Sequence, residues 1–458
     1  MPRRYIDPEF AAKISIMSAS EHTARYLGAS KEWRSANETN VPSWFRDLRQ
    51  EGSASFAALG FPTPQQEEWK YTNVEPVVSR QFGIANGENS FAAADILSSA
   101  FVEADAPRLV FVNGVYAAEF SSVQRLPSGV RLANLAEVRR SDDRVLASRL
   151  GRYADHRHNA FVALNTAFTD DGAVVIIPPG CRLPQPIYLV YASGAKNQML
   201  MSHPRTLIMV GAGSEVNIVE SYSGVNGKSY FCNAVTELIG EPDSVAQHYR
   251  LQREGAAAFH TGTLAAHLGS GCHLTAHAVT LSGALVRNDV HVSLDGEGAE
   301  CVLNGLYLGD DKQHVDNFTE IEHIKPRATS RELYKGILDG ASHGVFNGKI
   351  VVHKDAQKSD ARQTNRNLLL SADALVNTKP QLEIYADDVK CSHGSTIGQL
   401  DPDALFYLRS RGLGPDEARS LLSFAFASDI VGRIKVAALR ARLDDYLVAK
   451  FRNNGSRS

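Results

Sequence analysis

Two soft donors stand two residues apart near the C-terminal end of the chain. They are Cys391 and His393, inside the run Pro380-Gln-Leu-Glu-Ile-Tyr-Ala-Asp-Asp-Val-Lys-Cys-Ser-His-Gly-Ser-Thr-Ile-Gly-Gln-Leu-Asp401. On an extended backbone an i, i+2 pair points to one face with Cα atoms roughly 6.6 Å apart. That is close enough to share a metal ion or a sulfur-bearing intermediate. Leu382 and Ile384 alternate with polar residues, which predicts that the run enters as a strand. Gly394 is expected to free the backbone to turn away. A closed tetrahedral site takes four ligands, and no second Cys or His lies within a few residues. The pair is therefore half of a site completed elsewhere, in this fold or by another chain, or it is a buried thiol beside a hydrogen-bonded imidazole.

Other residues of chemical interest are weaker. Ser221-Tyr-Ser-Gly-Val-Asn-Gly-Lys-Ser229 ends like a phosphate loop, but Tyr222 occupies the place of the first glycine, and a side chain there prevents the tight turn that aims amides at phosphate. ATP binding by this chain is not expected. Gly211-Ala-Gly213 lacks the third glycine and the following helix of a dinucleotide fingerprint, and reads as a turn. His260, His267, His273, His277 and His291 crowd one part of the sequence. On a strand His273 and His277 lie about 13 Å apart, too far to share an ion. Histidines on stacked strands can still meet, although hydrogen-bonded or solvated positions are the ordinary expectation. No Gly-x-Ser-x-Gly elbow or His-Glu-x-x-His helix is present. Asp310-Asp311 and Asp387-Asp388 resemble glycosidase carboxylates only in composition, since adjacent aspartates on turns are usually solvated. The 5 cysteines, Cys181, Cys232, Cys272, Cys301 and Cys391, are scattered and odd in number. This pattern is neither a disulfide framework nor a resident zinc or cluster site.

The elements that must position Cys391 and His393 follow from punctuation. Turn signals fall at Pro179-Gly180, Gly211-Ala-Gly213, Gly240-Glu-Pro242, Gly269-Ser-Gly271, Gly296-Glu-Gly298, Lys325-Pro326, Lys354-Asp355 and Lys379-Pro380. Their spacing of roughly 25–31 residues is that of a structural repeat. Each interval has room for about two strands and two bends and carries no helical periodicity. A parallel β-helix fits best from residue 171 to 398, with an antiparallel barrel or sandwich as the competitor.

Residues 1–170 read as mainly helical, over Phe10 to Leu27, Val41 to Leu59 and Arg144 to Tyr153, with Pro62, Pro64 and Pro76 as breaks. Leu109-Val-Phe-Val-Asn-Gly-Val-Tyr116 predicts a hairpin, because Asn113-Gly114 suits a type I′ turn. Residues 399–458 read as a second helical region. Asp401 suits an N-cap, Pro402 the first helical position and Gly412 the stop. A helix from Pro415 carries Leu421, Leu422, Phe424, Ala425 and Ile430 as its apolar side. Helix continues from Arg433 to Phe451, and Arg452 to Ser458 reads as a disordered tail.

With 458 residues and a net charge of −3, the chain is long enough for two or three domains and lacks the basic excess of a nucleic-acid binder. No apolar run approaches the roughly 20 residues of a membrane span. The opening Met-Pro-Arg-Arg-Tyr has no apolar stretch after its arginines, so a cytoplasmic location is expected.

Three motifs together resemble one family. The Pro380–Asp401 run is similar to the signature of the SufB/SufD family of iron–sulfur cluster assembly subunits. Leu405-Phe-Tyr-Leu-Arg-Ser-Arg-Gly412 resembles that family's next motif, and Gly60-Phe-Pro-Thr-Pro-Gln-Gln-Glu-Glu-Trp-Lys-Tyr-Thr72 its N-terminal one. Asp387-Asp-Val-Lys-Cys-Ser-His-Gly394 is the D-type form. The resemblance implies a right-handed parallel β-helix core and a scaffold subunit without turnover of its own. It implies pairing with a SufB-type homologue through the β-helix end, a homodimer when isolated, and a SufC-type ABC ATPase on the C-terminal helices. Leu405, Phe406, Tyr407, Arg409 and Arg411 are the expected ATPase contacts, the aromatics as anchors and the arginines as bridges to carboxylates. His393 would be an interface ligand for a transient iron–sulfur cluster, with Cys391 a neighbouring thiol, and the resemblance also allows a reduced flavin in the complex. The alternatives are a stand-alone β-helix carbohydrate hydrolase or lyase, and a subunit that supplies shape and no ligands.

Overall fold

A computed structural model describes residues 18–39, 41–85, 98–103, 105–124, 126–141, 144–194, 198–224 and 229–454. Two long sheets dominate it. One carries Arg205–Val210, Phe231–Gly240, Phe259–Leu268, Leu285–Leu294, His314–His323, His343–Val352 and Leu375–Ile384. The other carries Ile187–Ser193, Glu215–Gly224, Val245–Arg253, His273–Ser282, Glu300–Gly309, Thr329–Leu338, Asp360–Leu369 and Lys390–Gly398. Successive strands alternate between the sheets, and neighbours within each sheet are parallel. The result is the expected parallel β-helix, a solenoid with one strand per sheet in each coil.

The repeat exists because each coil buries what the next one needs covered. Ile208, Leu238, Ala266, Val292, Ile321 and Ile350 are in-register neighbours in one sheet and form a continuous inward column. Val216, Ala246, Leu274 and Cys301 form its counterpart in the other. Burying each large aliphatic side chain contributes about 1.5–3 kcal/mol, and no coil keeps that contribution without its neighbours. One corner recurs with a left-handed residue at Gly180, Gly213, Asp243, Gly271, Gly298, Arg327 and Lys358. Its backbone amide donates to the next coil, from Gly213 N to Pro242 O and onward to Lys358 N, which donates to Asp388 O. This corner is the physical source of the sequence punctuation.

Lys379-Pro380 breaks the pattern, because both residues lie inside Leu375–Ile384 and not at a turn. That strand is the outer member of its sheet. Proline is tolerated at an edge, where the missing donor interrupts no second ladder. Gly394 likewise sits within Lys390–Gly398, and the chain turns only after Gly398.

The solenoid begins earlier in the chain than its first punctuation. The hairpin forms as expected, with Asn113 and Gly114 at φ 50° and 80°. Its first strand, Arg108–Val112, also pairs in parallel with Ile187–Ser193 and so belongs to the solenoid sheet. Arg131–Asn134 joins the other sheet beside Ala173–Ile177. Buried Asp171 ties this junction together by accepting from the amides of Tyr116, Ala136 and Gly172.

Helices Ala19–Asn37, Ser43–Leu59 and Ala160–Phe168 lie on the outer face of the first sheet, where Tyr26, Phe56 and Phe161 pack with Phe231 and Phe259. The first helix is set by a capping box from Ser18 to Glu21. Of the stretch expected as helix from Phe10, residues 10–17 lie outside the described residues.

The C-terminal region folds as Pro402–Ser410, Pro415–Val431 and Ala437–Asn454. Asp401 caps the first of these by accepting from the Asp403 amide, and Gly412 ends it at φ 96°. The second buries Ala418, Ala427, Ile430 and Val431, while Leu421 and Ala425 are exposed. Its apolar side is therefore rotated from the one expected, because the long helix packs on both the solenoid flank and Ala437–Asn454. Residues 432–436 interrupt the helix expected from Arg433, and Arg452 is helical and not part of a loose tail. Residues 455–458 lie outside the described residues. Among the described residues no helix is long and apolar enough to cross a membrane.

Candidate functional site

Among the described residues, the last coil is where the solenoid strands turn mostly half-buried or exposed. Leu375–Ile384 and Lys390–Gly398 are the outermost strands of their sheets, each paired on one side only. Their free edges run side by side and carry exposed Leu375, Ile384, Tyr385 and Ile397. Open edges with apolar side chains invite strand pairing with another chain.

Register explains where Cys391 and His393 point. Cys391 pairs with Ala361, which pairs with Ser330 and then Cys301, all fully buried. Cys391 thus ends an inward column, half-buried against the core. Burial pushes its thiol above the ordinary cysteine range, with Asp360 adding to the effect and a hydrogen bond from Ala361 opposing it. His393 pairs with Gln363, which pairs with Glu332. Gln363 Nε2 donates to Glu332 Oε2 at 2.8 Å, and both residues are buried. His393 itself is exposed. The strand places thiol and imidazole on the same face, above the interior, one sheltered and one presented to solvent. Asp388 is an ordinary corner, accepting from Lys358 N and lying 3.6 Å from Lys358 Nζ.

Beside this end, helix Pro402–Ser410 buries none of its residues. Phe406 is 74 % and Tyr407 56 % exposed. Arg411 stacks over Tyr407 at 5.1 Å, Arg409 is exposed and Leu405 half-buried. The helix is held by its caps and by Pro415–Val431 beneath it, which leaves an aromatic and cationic face uncovered.

The Gly60–Thr72 motif has a structural task. Buried Arg287 lies over the Trp69 ring at 4.2 Å and pairs with Asp289 at 2.6 Å and with Asp316. Thr72 Oγ1 donates to Asp316 and meets His314 at 2.8 Å. Glu67 pairs with Lys379 of the last coil. The motif staples the N-terminal helices to the solenoid.

Most of the crowded histidines have separate partners. His267 faces Asp295, His273 faces Glu300 and His291 faces Glu320, while His277 stacks on Tyr249. His260 is different. With Cys232 and Glu254 it forms a buried group whose donor atoms all lie within 4.8 Å of one another. The scattered cysteines gave no sign of it, yet Cys232 and His260 are one repeat apart and stand in register. In the Ser221–Ser229 run, Tyr222 is buried and stacked on Tyr191, while residues 225–228 lie outside the described residues.

Fold and site define a class: a two-sheet parallel β-solenoid with helical flanks, whose last coil ends in free strand edges that carry a half-buried thiol and an exposed imidazole. The chain belongs to the SufBD family of iron–sulfur cluster assembly proteins. The SufBD core domain model matches residues 191–426 and the SufBD N-terminal region model residues 20–189. The chain is 35 % identical to an iron–sulfur cluster assembly SufBD family protein of Synechocystis over 86 % of its length and 88 % of the relative's. It is 32 % identical to the iron–sulfur cluster assembly protein SufD of Escherichia coli, over 84 % and 88 %. It is 24 % identical to the iron–sulfur cluster assembly protein SufD of Bacillus subtilis, over 90 % of its length and 95 % of the relative's.

Proposed function

We propose that this chain is a D-type scaffold subunit that holds an iron–sulfur cluster during assembly and passes it on. The open last coil carries the reading. Its two free strand edges receive a SufB-type homologue, and the nascent cluster, as cargo, forms where His393 meets the partner's ligands. An exposed imidazole nitrogen can coordinate iron directly, so His393 is the ligand presented to the partner. Cys391 must be deprotonated to bind metal, and its raised pKa delays that step until iron arrives. Two ligands from one chain make an incomplete site, which favours release, because a closed four-ligand site retains its metal.

The exposed face of Pro402–Ser410 is the docking site for a SufC-type ATPase. Phe406 and Tyr407 supply anchor area, Arg409 and Arg411 supply cations for its carboxylates, and Leu405 packs at the base. The helix connects directly to the last coil through residues 399–401, so force applied to it reaches the cluster-bearing strand.

Co-expression of this chain with SufB-type and SufC-type partners, followed by anaerobic reconstitution with iron and sulfide, tests the reading. The expected result is a stable complex that gains a visible cluster absorbance and loses it with His393→Ala. Failure of the chain to enter the complex would refute the scaffold role.

A further inference from the structure

We propose that Cys232, Glu254 and His260 bind one divalent metal ion of the zinc type inside the solenoid. Cys232 and His260 are direct in-register neighbours on Phe231–Gly240 and Phe259–Leu268. Neighbouring strands lie about 4.8 Å apart, which brings two inward side chains onto one point. Glu254 enters from the other sheet, just past the end of Val245–Arg253. All three are buried, at 1 %, 3 % and 0 % exposure for Cys232, Glu254 and His260.

The polar atoms converge without satisfying one another. His260 Nδ1 lies 2.9 Å from Glu254 Oε2, yet neither ring nitrogen makes a well-aligned hydrogen bond, and Glu254 Oε1 makes none either, although the Tyr230 hydroxyl lies beside the carboxylate. Buried polar atoms are nearly always paired, and exceptions commonly mark an ion or water. Close but misaligned donors are what two ligands aimed at a third body produce. Gln252 Nε2 donates to Glu254 Oε2 at 2.9 Å and holds the carboxylate in place, as supporting residues do around metals. Arg250, the neighbouring cation, donates to the Thr263 carbonyl at 3.1 Å and lies 3.7 Å from Glu220, while its Nε and Nη1 make no hydrogen bond.

Charge favours the ion as well. A thiolate, a carboxylate and a neutral imidazole around a dication would sum to zero. Sulfur, nitrogen and oxygen donors suit zinc, with the fourth position left to water. The ion would lock two coils together across both sheets. The site is four to five strand spacings from the last coil, about 19–24 Å along the solenoid, so it is separate from Cys391 and His393.

The test uses the full chain expressed with supplemented zinc or cobalt and purified without chelators. Elemental analysis should find about one metal ion per chain, and the cobalt form should show a thiolate-to-cobalt charge-transfer band. Cys232→Ala should abolish the band, and Glu254→Gln and His260→Ala should each lower retained metal at least tenfold. The Cys391→Ser, His393→Ala double variant should retain both metal and band. Stoichiometric metal in the wild-type chain, lost on removing Cys232, supports the site even if one ligand variant folds poorly. A folded wild-type chain that takes up no zinc or cobalt would overturn it, as would a band that survives Cys232→Ala and disappears in the double variant.

Discussion

His393 stands directly over Gln363 of the preceding coil, and Gln363 donates to Glu332 at 2.8 Å one coil further in. The exposed donor of the last coil therefore heads a buried polar column in a position that lower coils fill with Leu303 and Ala276. Interiors rarely accept such a column without a reason, since each member must be satisfied by the next. Here the column keeps the base of the last coil polar, with Glu332 Oε1 and Gln363 Oε1 left without partners.

Glu332 should make stability depend on pH near neutrality. Burial raises its carboxyl to about 7, against a hydrogen bond from Gln363. Neighbouring Cys301 and Tyr334 stay neutral, both pushed up by burial. A folded pKa above the ordinary value near 4.5 stabilises fully below that value, and the contribution is lost as pH rises toward 7. The amount at stake is at most about 3 kcal/mol. Glu332→Gln should be more stable than the wild type at pH 8 and closer to it at pH 5, measured by urea midpoints. Parallel pH profiles would show that Glu332 is ionised without penalty.

His393→Ala should lower cluster content in the assembled complex several-fold while leaving the melting temperature of the chain nearly unchanged. The side chain is exposed, and such substitutions usually change stability by less than about 0.5 kcal/mol. Cys391→Ser separates two roles. If Cys391 serves only as the end of a packed column, assembly changes little; if its thiol carries sulfur or iron, cluster yield falls with complex recovery unchanged.

Phe406→Ala combined with Tyr407→Ala should weaken ATPase capture by more than about 2 kcal/mol, the scale of interface anchors, without destabilising the chain. Calorimetric titration with the purified ATPase measures the first and thermal denaturation the second. Removing residues 401–458 is a poorer test. Ile430, Leu439, Leu443 and Leu447 pack on Tyr249, Leu306 and Ile337 of the solenoid flank, and deletion would expose that surface. Unchanged affinity of the double variant would move the contact off this helix.

Arg287→Met should destabilise the chain by about 3–5 kcal/mol, since it leaves the carboxylates of Asp289 and Asp316 buried without their cation and uncovers Trp69. A lowered denaturation midpoint with loss of protection in the 60–72 segment by hydrogen exchange is the expected result. Loss of stability without that local change would mean that the motif is held by its other contacts.

The sequence alone showed the repeat and favoured the solenoid over a barrel or sandwich, because a coil corner demands a left-handed residue at nearly constant intervals and glycine supplies it at several of them. It also determined the caps of Pro402–Ser410, which depend on residues adjacent in the chain, and the pairing of Cys391 with His393 on one strand face. It misplaced the turn at Lys379-Pro380, since proline marks a turn or an edge strand equally well and only the sheet order tells which. The buried face of Pro415–Val431 was decided by what the helix packs against on two sides. That Cys391 ends a column through Ala361 and Ser330 while His393 surmounts Gln363 and Glu332 is a matter of register between coils. So is the meeting of Cys232 with His260, which lie 28 residues apart in the chain and become neighbours because one coil consumes that length. Local rules place residues along a strand; only stacking decides which strands lie together and which edge stays open.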